Sequence, residues 1–161
     1  MRLCVWGMLV LSVLGAGCGR KQQDSVTPAV GKVSMEAVYT DYPRFREAAQ
    51  AVRIDEAAAQ RLAASERDIV FMVFLGTWCS DSEEHVPVFH ELMRAANNPH
   101  FQIEYYGVDR KKDDGLGLAR RFEIEYVPTF ILLEGSEELG RIVETPTVSI
   151  GQDILAIVEG T

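Results

Sequence analysis

The sequence predicts an α/β domain, a mixed central sheet flanked by helices, with an N-terminal helical extension. Ile69–Leu75 is an unbroken apolar run of seven residues. Its length and its β-branched and aromatic content suit a fully buried strand rather than a helix. Helical and strand patterns then alternate to give the order βαβαββα, which packs as a sheet with helices on its faces. The composition, 47% apolar and 25% charged over 161 residues, is that of a globular chain with one core-forming domain.

Residues 1–17 read as a secretory signal. Arg2 supplies the basic start, 3–14 is mostly apolar, and Gly15-Ala16-Gly17 is a small-residue exit before Cys18. The apolar stretch is too short for a spanning helix, which needs roughly 20 such residues. Export of the chain to the periplasm or cell surface is therefore expected. Residues 18–34 read as a flexible linker, polar at first and punctuated by Pro28 and Gly31.

The domain proper is expected over 35–161, with a helical extension at 35–66 and the core at 67–161. Pro43 suits the first position of a helix, after which Phe45, Ala48, Ala49 and Val52 keep helical spacing. Asp55 suits the N-cap of a second helix over 56–64. After the apolar run and Gly76-Thr77-Trp78-Cys79, a helix is marked by Val86, Phe89, Leu92 and Met93. A strand over 101–108 follows, then a charged loop at 110–117 and a short helix at 118–122. A third strand begins at Val127-Pro128-Thr129, turns at Gly135-Ser136 and returns over 139–143. The helix at 149–159 carries Ile150, Ile154, Leu155 and Val158.

The net charge of −8 argues against nucleic acid, whose phosphates call for concentrated Lys and Arg. Gly115-Leu116-Gly117 lacks the third glycine of a dinucleotide fingerprint, and no cofactor is called for. Arg110-Lys111-Lys112-Asp113-Asp114 reads as a solvated loop, and His90 and His100 read as surface.

Trp78-Cys79 between a strand and its helix, Pro87 eight residues after the cysteine, Val127-Pro128-Thr129 and Gly135 together resemble the thioredoxin-like superfamily. The resemblance covers roughly 69–159 and is strongest to bacterial exported members reading WCSDS at the site. It implies a thioredoxin-like fold, a cis Pro128 beside the thiol, and Cys79 as the reactive residue. It also implies that Trp78 and Val127–Thr129 hold a partner's backbone beside the sulfur. Leu14-Gly15-Ala16-Gly17-Cys18 similarly resembles a bacterial lipobox, with Gly15 where a larger aliphatic residue is usual. That implies a lipid anchor on Cys18 and attachment to a membrane; ordinary cleavage near Gly17 is the alternative.

Two departures from the family define the chemistry. The motif is Cys79-Ser80-Asp81-Ser82, a CxxS site without a resolving cysteine, and the family's buried acid is replaced by Val73. With Cys4 lost in the signal and Cys18 acylated, Cys79 is the one remaining thiol. A helix N-terminus favours a thiolate there, while Asp81, Glu83 and Glu84 disfavour it. The expected function is monothiol exchange with protein or low-molecular-weight thiols and disulfides, the mixed disulfide being resolved by an external thiol.

Blander readings stand beside that one. Ser80, Asp81 or Ser82 can serve as the helix N-cap, Ser80 and Glu83 having capping-box spacing, or Ser82 can bond the sulfur. The groove can also grip an extended peptide without redox chemistry, adding a strand beside Thr129. Cys79, Asp81 and His85 offer too few ligands for the copper-carrier alternative, and no metal is expected.

Overall fold

A computed structural model describes residues 27–160. The secretory signal expected at 1–17, Cys18 and the first part of the expected linker lie outside the described residues. Eleven elements follow in order: β1 (Gly31–Val33), α1 (Met35–Asp41), α2 (Pro43–Ala51), α3 (Glu56–Ala63), β2 (Ile69–Leu75), α4 (Ser80–Ala96), β3 (Phe101–Gly107), α5 (Leu118–Arg121), β4 (Thr129–Glu134), β5 (Glu137–Val143) and α6 (Ile150–Glu159).

The five strands form one mixed sheet in the order β1-β3-β2-β4-β5. The β2–β3 pair is parallel and the others antiparallel. Central β2 is covered on both faces, which is why its sequence is apolar throughout rather than alternating. Ile69, Phe71, Val73 and Leu75 enter one core with α1–α4 and α6, while Met72 and Phe74 enter a second with Tyr106, Val108, Ala119, Ile124, Val127 and Ile131. Trp78 and Cys79 pack against this second core.

Caps and turns fall largely where local chemistry places them. Ser34 and Asp55 accept the Ala37 and Ala58 N–H groups at the starts of α1 and α3, and Pro43 opens α2. Gly135 takes the first central position of a two-residue hairpin at φ +62°, a conformation suited to glycine. The return strand begins at Glu137, two residues before the sequence places it.

Residues 31–33, expected to be linker, are instead an edge strand paired with Tyr105–Gly107. Three residues are too few to show a period, but their backbone groups satisfy the open edge of β3. The helical extension is part of the main core. Met35, Val38, Phe45, Ala58, Ala59 and Leu62 are buried with Val86, Phe89 and Leu92 of α4.

His90 is half-buried rather than on the surface, its Nδ1 2.9 Å from the Tyr105 hydroxyl and its ring edge-on to Tyr39. Burial, partly opposed by Glu91, holds its pKa below the ordinary histidine value, and burial with Glu91 pushes Tyr39 up to about 12. Between the lowered folded pKa and the unfolded value of about 6.5, the unfolded chain binds the extra proton, so stability falls as pH falls through that window. Thermal unfolding of wild type and His90→Gln from pH 7.5 to 5 is expected to show a shallower loss in the variant. Parallel curves would contradict the assignment.

Candidate active site

The register of the sheet brings the site together. β2 and β4 run antiparallel with Phe74 opposite Thr129, so the segment leaving β2 and the segment entering β4 meet at one end of the sheet. Gly76 to Cys79 close a turn, with the Cys79 N–H donating to the Gly76 carbonyl at 2.9 Å. The Trp78 indole lies over Gly76, where an added Cβ would come within 2.8 Å of the ring. The indole N–H donates to the Val108 carbonyl at 3.0 Å, fixing the ring across the ends of β2 and β3.

Cys79 is the N-cap of α4 and is partly buried. Its thiol donates to the Val127 carbonyl at 3.2 Å. The Val127–Pro128 peptide is cis, and the Thr129 hydroxyl donates to the Tyr126 carbonyl at 2.8 Å. Cys79, Trp78 and Val127–Thr129 are thus gathered in one place, with Asp81 at the first turn of α4.

The N-cap position corrects the expectation placed on Ser80, Asp81 and Ser82. Ser80 opens the helix and bonds the Asp81 carboxylate, while Cys79 gives its carbonyl to the Glu83 N–H at 3.0 Å. Ser82 is buried and neither caps the helix nor bonds the sulfur. Its hydroxyl accepts the Gly76 N–H at 3.1 Å, tying the helix to the turn that carries Trp78 and Cys79. No local pattern announces that bond, which closes across six residues through a buried side chain.

The strand-addition mode beside Thr129 is also corrected. Thr129 pairs with Phe74 on one side and Val143 on the other, and the Pro128 carbonyl accepts the Glu144 N–H at 2.7 Å. A strand held between two neighbours offers no edge to a peptide. Val73 occupies the position of the family's acid as a fully buried residue of the main core. His85 joins no metal-ligating cluster; among the described residues no three His, Cys, Asp or Glu side chains form one.

Two neighbouring segments were not legible as parts of the site. The Ala29 N–H donates to the Thr77 hydroxyl at 3.1 Å, so residues just before β1 brace the turn from the far end of the sequence. The loop after β3 is only partly solvated. Its Asp114 is buried, and its carboxylate accepts the N–H groups of Leu116, Gly117, Leu118 and Ala119. Asp114→Ala strands these donors and is expected to cost roughly 3 kcal/mol or more of stability in denaturant unfolding; a change under about 1 kcal/mol would contradict this role.

The arrangement is that of the thioredoxin-like fold: a cysteine heading a helix after a central strand, facing a cis-proline segment. A sequence model of the thioredoxin family matches residues 33–154, and the chain belongs to that family. It is similar to a thioredoxin H-type of Brassica campestris, 25% identical over 83 residues, 52% of this chain and 63% of the relative. Thioredoxin H2-1 of Oryza sativa subsp. japonica is 33% identical over 75 residues, 47% of this chain and 50% of the relative. The chain therefore spans less than two thirds of the curated relatives it matches. A crystal structure of a Pseudomonas aeruginosa protein of unknown function aligns with a TM-score of 0.55 at 21% identity, covering 79% of this chain and 87% of that one. That likeness concerns the fold alone.

Proposed function

We propose that this chain is a monothiol member of the thioredoxin family, exchanging disulfides through Cys79 and relying on an external thiol to finish the cycle. The observation that carries this reading is the Cys79 thiol held 3.2 Å from the Val127 carbonyl, at the head of a helix whose third residue is the buried Ser82, bonded to the Gly76 N–H, rather than a second cysteine. Cys79 stands at the N-terminal end of α4, where the first N–H groups have no carbonyl partners within the helix.

Exchange then proceeds in two balanced steps. The Cys79 thiol loses its proton to solvent, and its sulfur attacks a partner disulfide. The partner's S–S bond breaks, a Cys79–S–S–partner bond forms, and one partner sulfur leaves as thiolate. An external thiolate next attacks the partner's sulfur in the mixed disulfide: the Cys79–partner S–S bond breaks, a disulfide forms between the external thiol and the partner, and Cys79 leaves as thiolate. The Cys79-to-Ser82 spacing allows no internal attack because serine is not a nucleophile toward sulfur.

Export and lipid attachment through Cys18 are part of the proposal. They rest on the order basic residue, apolar stretch, small residues and cysteine at 1–18, followed by a polar tether. The proposed partners are thiols and disulfides reached from a membrane surface. Intact-mass analysis of the exported chain tests the anchor: an acylated N-terminus at Cys18 is expected, and an unmodified Met1 or a free Cys18 would overturn it.

The exchange reading is tested on the full chain with Cys4 and Cys18 changed to serine, incubated with hydroxyethyl disulfide. One reductant-reversible adduct on Cys79 is expected. A thiol that stays free under conditions where 2-mercaptoethanol exchanges fully would overturn the reading.

A further inference from the structure

The chain enters the domain beside the thiol. Just before β1, the Ala29 N–H donates to the Thr77 hydroxyl at 3.1 Å, and Thr77 is buried two residues from Cys79. The seat is built for backbone. A Cβ on Gly107 would come within 2.4 Å of the Ala29 carbonyl oxygen, so glycine at this end of β3 is what lets the incoming strap lie so close. Val108, the next residue, accepts the Trp78 indole N–H, so strap and Trp78 are held at the same strand end. Further back, the Thr27 carbonyl accepts the Tyr42 hydroxyl at 2.7 Å. Residues 27–32 precede the stretch that the family model matches, so most of the strap lies outside the matched family domain.

These contacts limit how far Cys18 can lie from Cys79. One hydrogen bond and two residue steps join Ala29 to Cys79, and two more steps join Ala29 to Thr27. At about 3.6 Å per step, Thr27 is within roughly 20 Å of Cys79. Cys18 precedes Thr27 by nine steps (27 − 18 = 9), a contour of about 30 Å. A disulfide needs its two Cα atoms about 5.5 Å apart. The segment is therefore long enough, with length to spare, to carry the Cys18 sulfur to the Cys79 sulfur.

We infer that Cys18, whenever its sulfur carries no lipid, is the internal resolving thiol of Cys79, so that attachment of the anchor is what makes the site monothiol. This assignment rests on the exchange reading above and adds a second reacting residue to it. The Cys18 thiolate attacks the Cys79 sulfur of the mixed disulfide: the Cys79–partner S–S bond breaks, a Cys18–Cys79 disulfide forms, and the partner leaves as thiolate. The partner disulfide is the oxidant. Two electrons pass to it from the two thiols of the chain, and both of its sulfurs end as thiols. An anchor carried on the Cys18 sulfur removes the internal nucleophile and leaves resolution to an external thiol.

The test uses the full chain with Cys4 changed to serine, made without export so that Cys18 is unacylated, beside the same chain carrying Cys18→Ser as well. Each is treated with one equivalent of hydroxyethyl disulfide and followed by intact mass and peptide mapping. The chain with Cys18 is expected to lose its adduct and gain a Cys18–Cys79 disulfide without added thiol, at a rate independent of chain concentration. The Cys18→Ser chain is expected to keep its adduct. Dividing the first rate by the rate constant of the Cys18→Ser adduct with 2-mercaptoethanol gives the effective concentration of the Cys18 thiol, expected at ~0.1 mM or above. A lower value, a disulfide joining two chains, or an adduct that persists beside a free Cys18 thiol would overturn this inference alone. No adduct on Cys79 in the Cys18→Ser chain would overturn the exchange reading together with it.

Discussion

Cys79→Ser is expected to reduce adduct formation with any disulfide to the background of a chain without thiols. Cys79 is the one free thiol among residues 27–160, and a serine hydroxyl does not attack sulfur at neutral pH. The fold is expected to survive the change. The Cys79 side chain makes one hydrogen bond, to the Val127 carbonyl, and a serine hydroxyl there can donate to the same acceptor. Unfolding free energies are therefore expected to agree within about 1 kcal/mol. Intact mass after incubation with hydroxyethyl disulfide, alongside denaturant unfolding, separates the two effects. A variant that still carries a reductant-sensitive adduct, in a chain also lacking Cys4 and Cys18, would end the assignment.

Ser82→Cys is expected to produce the opposite change, turning a site that accumulates mixed disulfides into one that clears them. Cys79 is the N-cap of α4 and Ser82 its third helical residue. Side chains at those two positions approach one another, which is how an N-cap residue reaches the third N–H of its helix. A thiol at 82 can attack a mixed disulfide on Cys79 and leave a 79–82 disulfide, so the adduct's lifetime no longer depends on added thiol. Two costs come with the change. The Gly76 N–H exchanges a hydroxyl acceptor for a weaker sulfur, worth about 1 kcal/mol. The incoming thiol also finds Val73, rather than an acid, at the buried position that the resemblance associates with proton movement. Resolution is therefore slower than in a complete dithiol site, but it still occurs. Oxidised Ser82→Cys chains, with Cys4 and Cys18 changed to serine, that keep two titratable thiols would show that the residue at 82 is held away from the sulfur.

The parts of this molecule that could be read from the sequence are those set by local pattern. Ile69–Leu75 announces a buried central strand, Pro43 and Asp55 announce helix starts, and Gly135 marks a hairpin. Trp78-Cys79 and Val127-Pro128-Thr129 are far apart in the chain but placed by the resemblance. The sheet register then brings them together through Phe74 opposite Thr129. The unread parts depend on long-range or buried partners. β1 exists because β3 has a free edge, not because Gly31-Lys32-Val33 carries a strand signal. Thr77 braces the site only once Ala29 lies beside it, and Asp114 looks like one more loop charge until four N–H groups converge on it. Ser82 misleads for the same reason, since its spacing suits a cap while its burial directs it to Gly76.

The central claim is that one thiol performs exchange and an outside thiol completes it. The most direct measurement isolates the Cys79 mixed disulfide of the chain with Cys4 and Cys18 changed to serine, removes small thiols, and follows its mass over time. The adduct is expected to persist in thiol-free buffer and to decay on addition of 2-mercaptoethanol at a rate proportional to the thiol concentration. Release at an undiminished rate without added thiol would contradict the account.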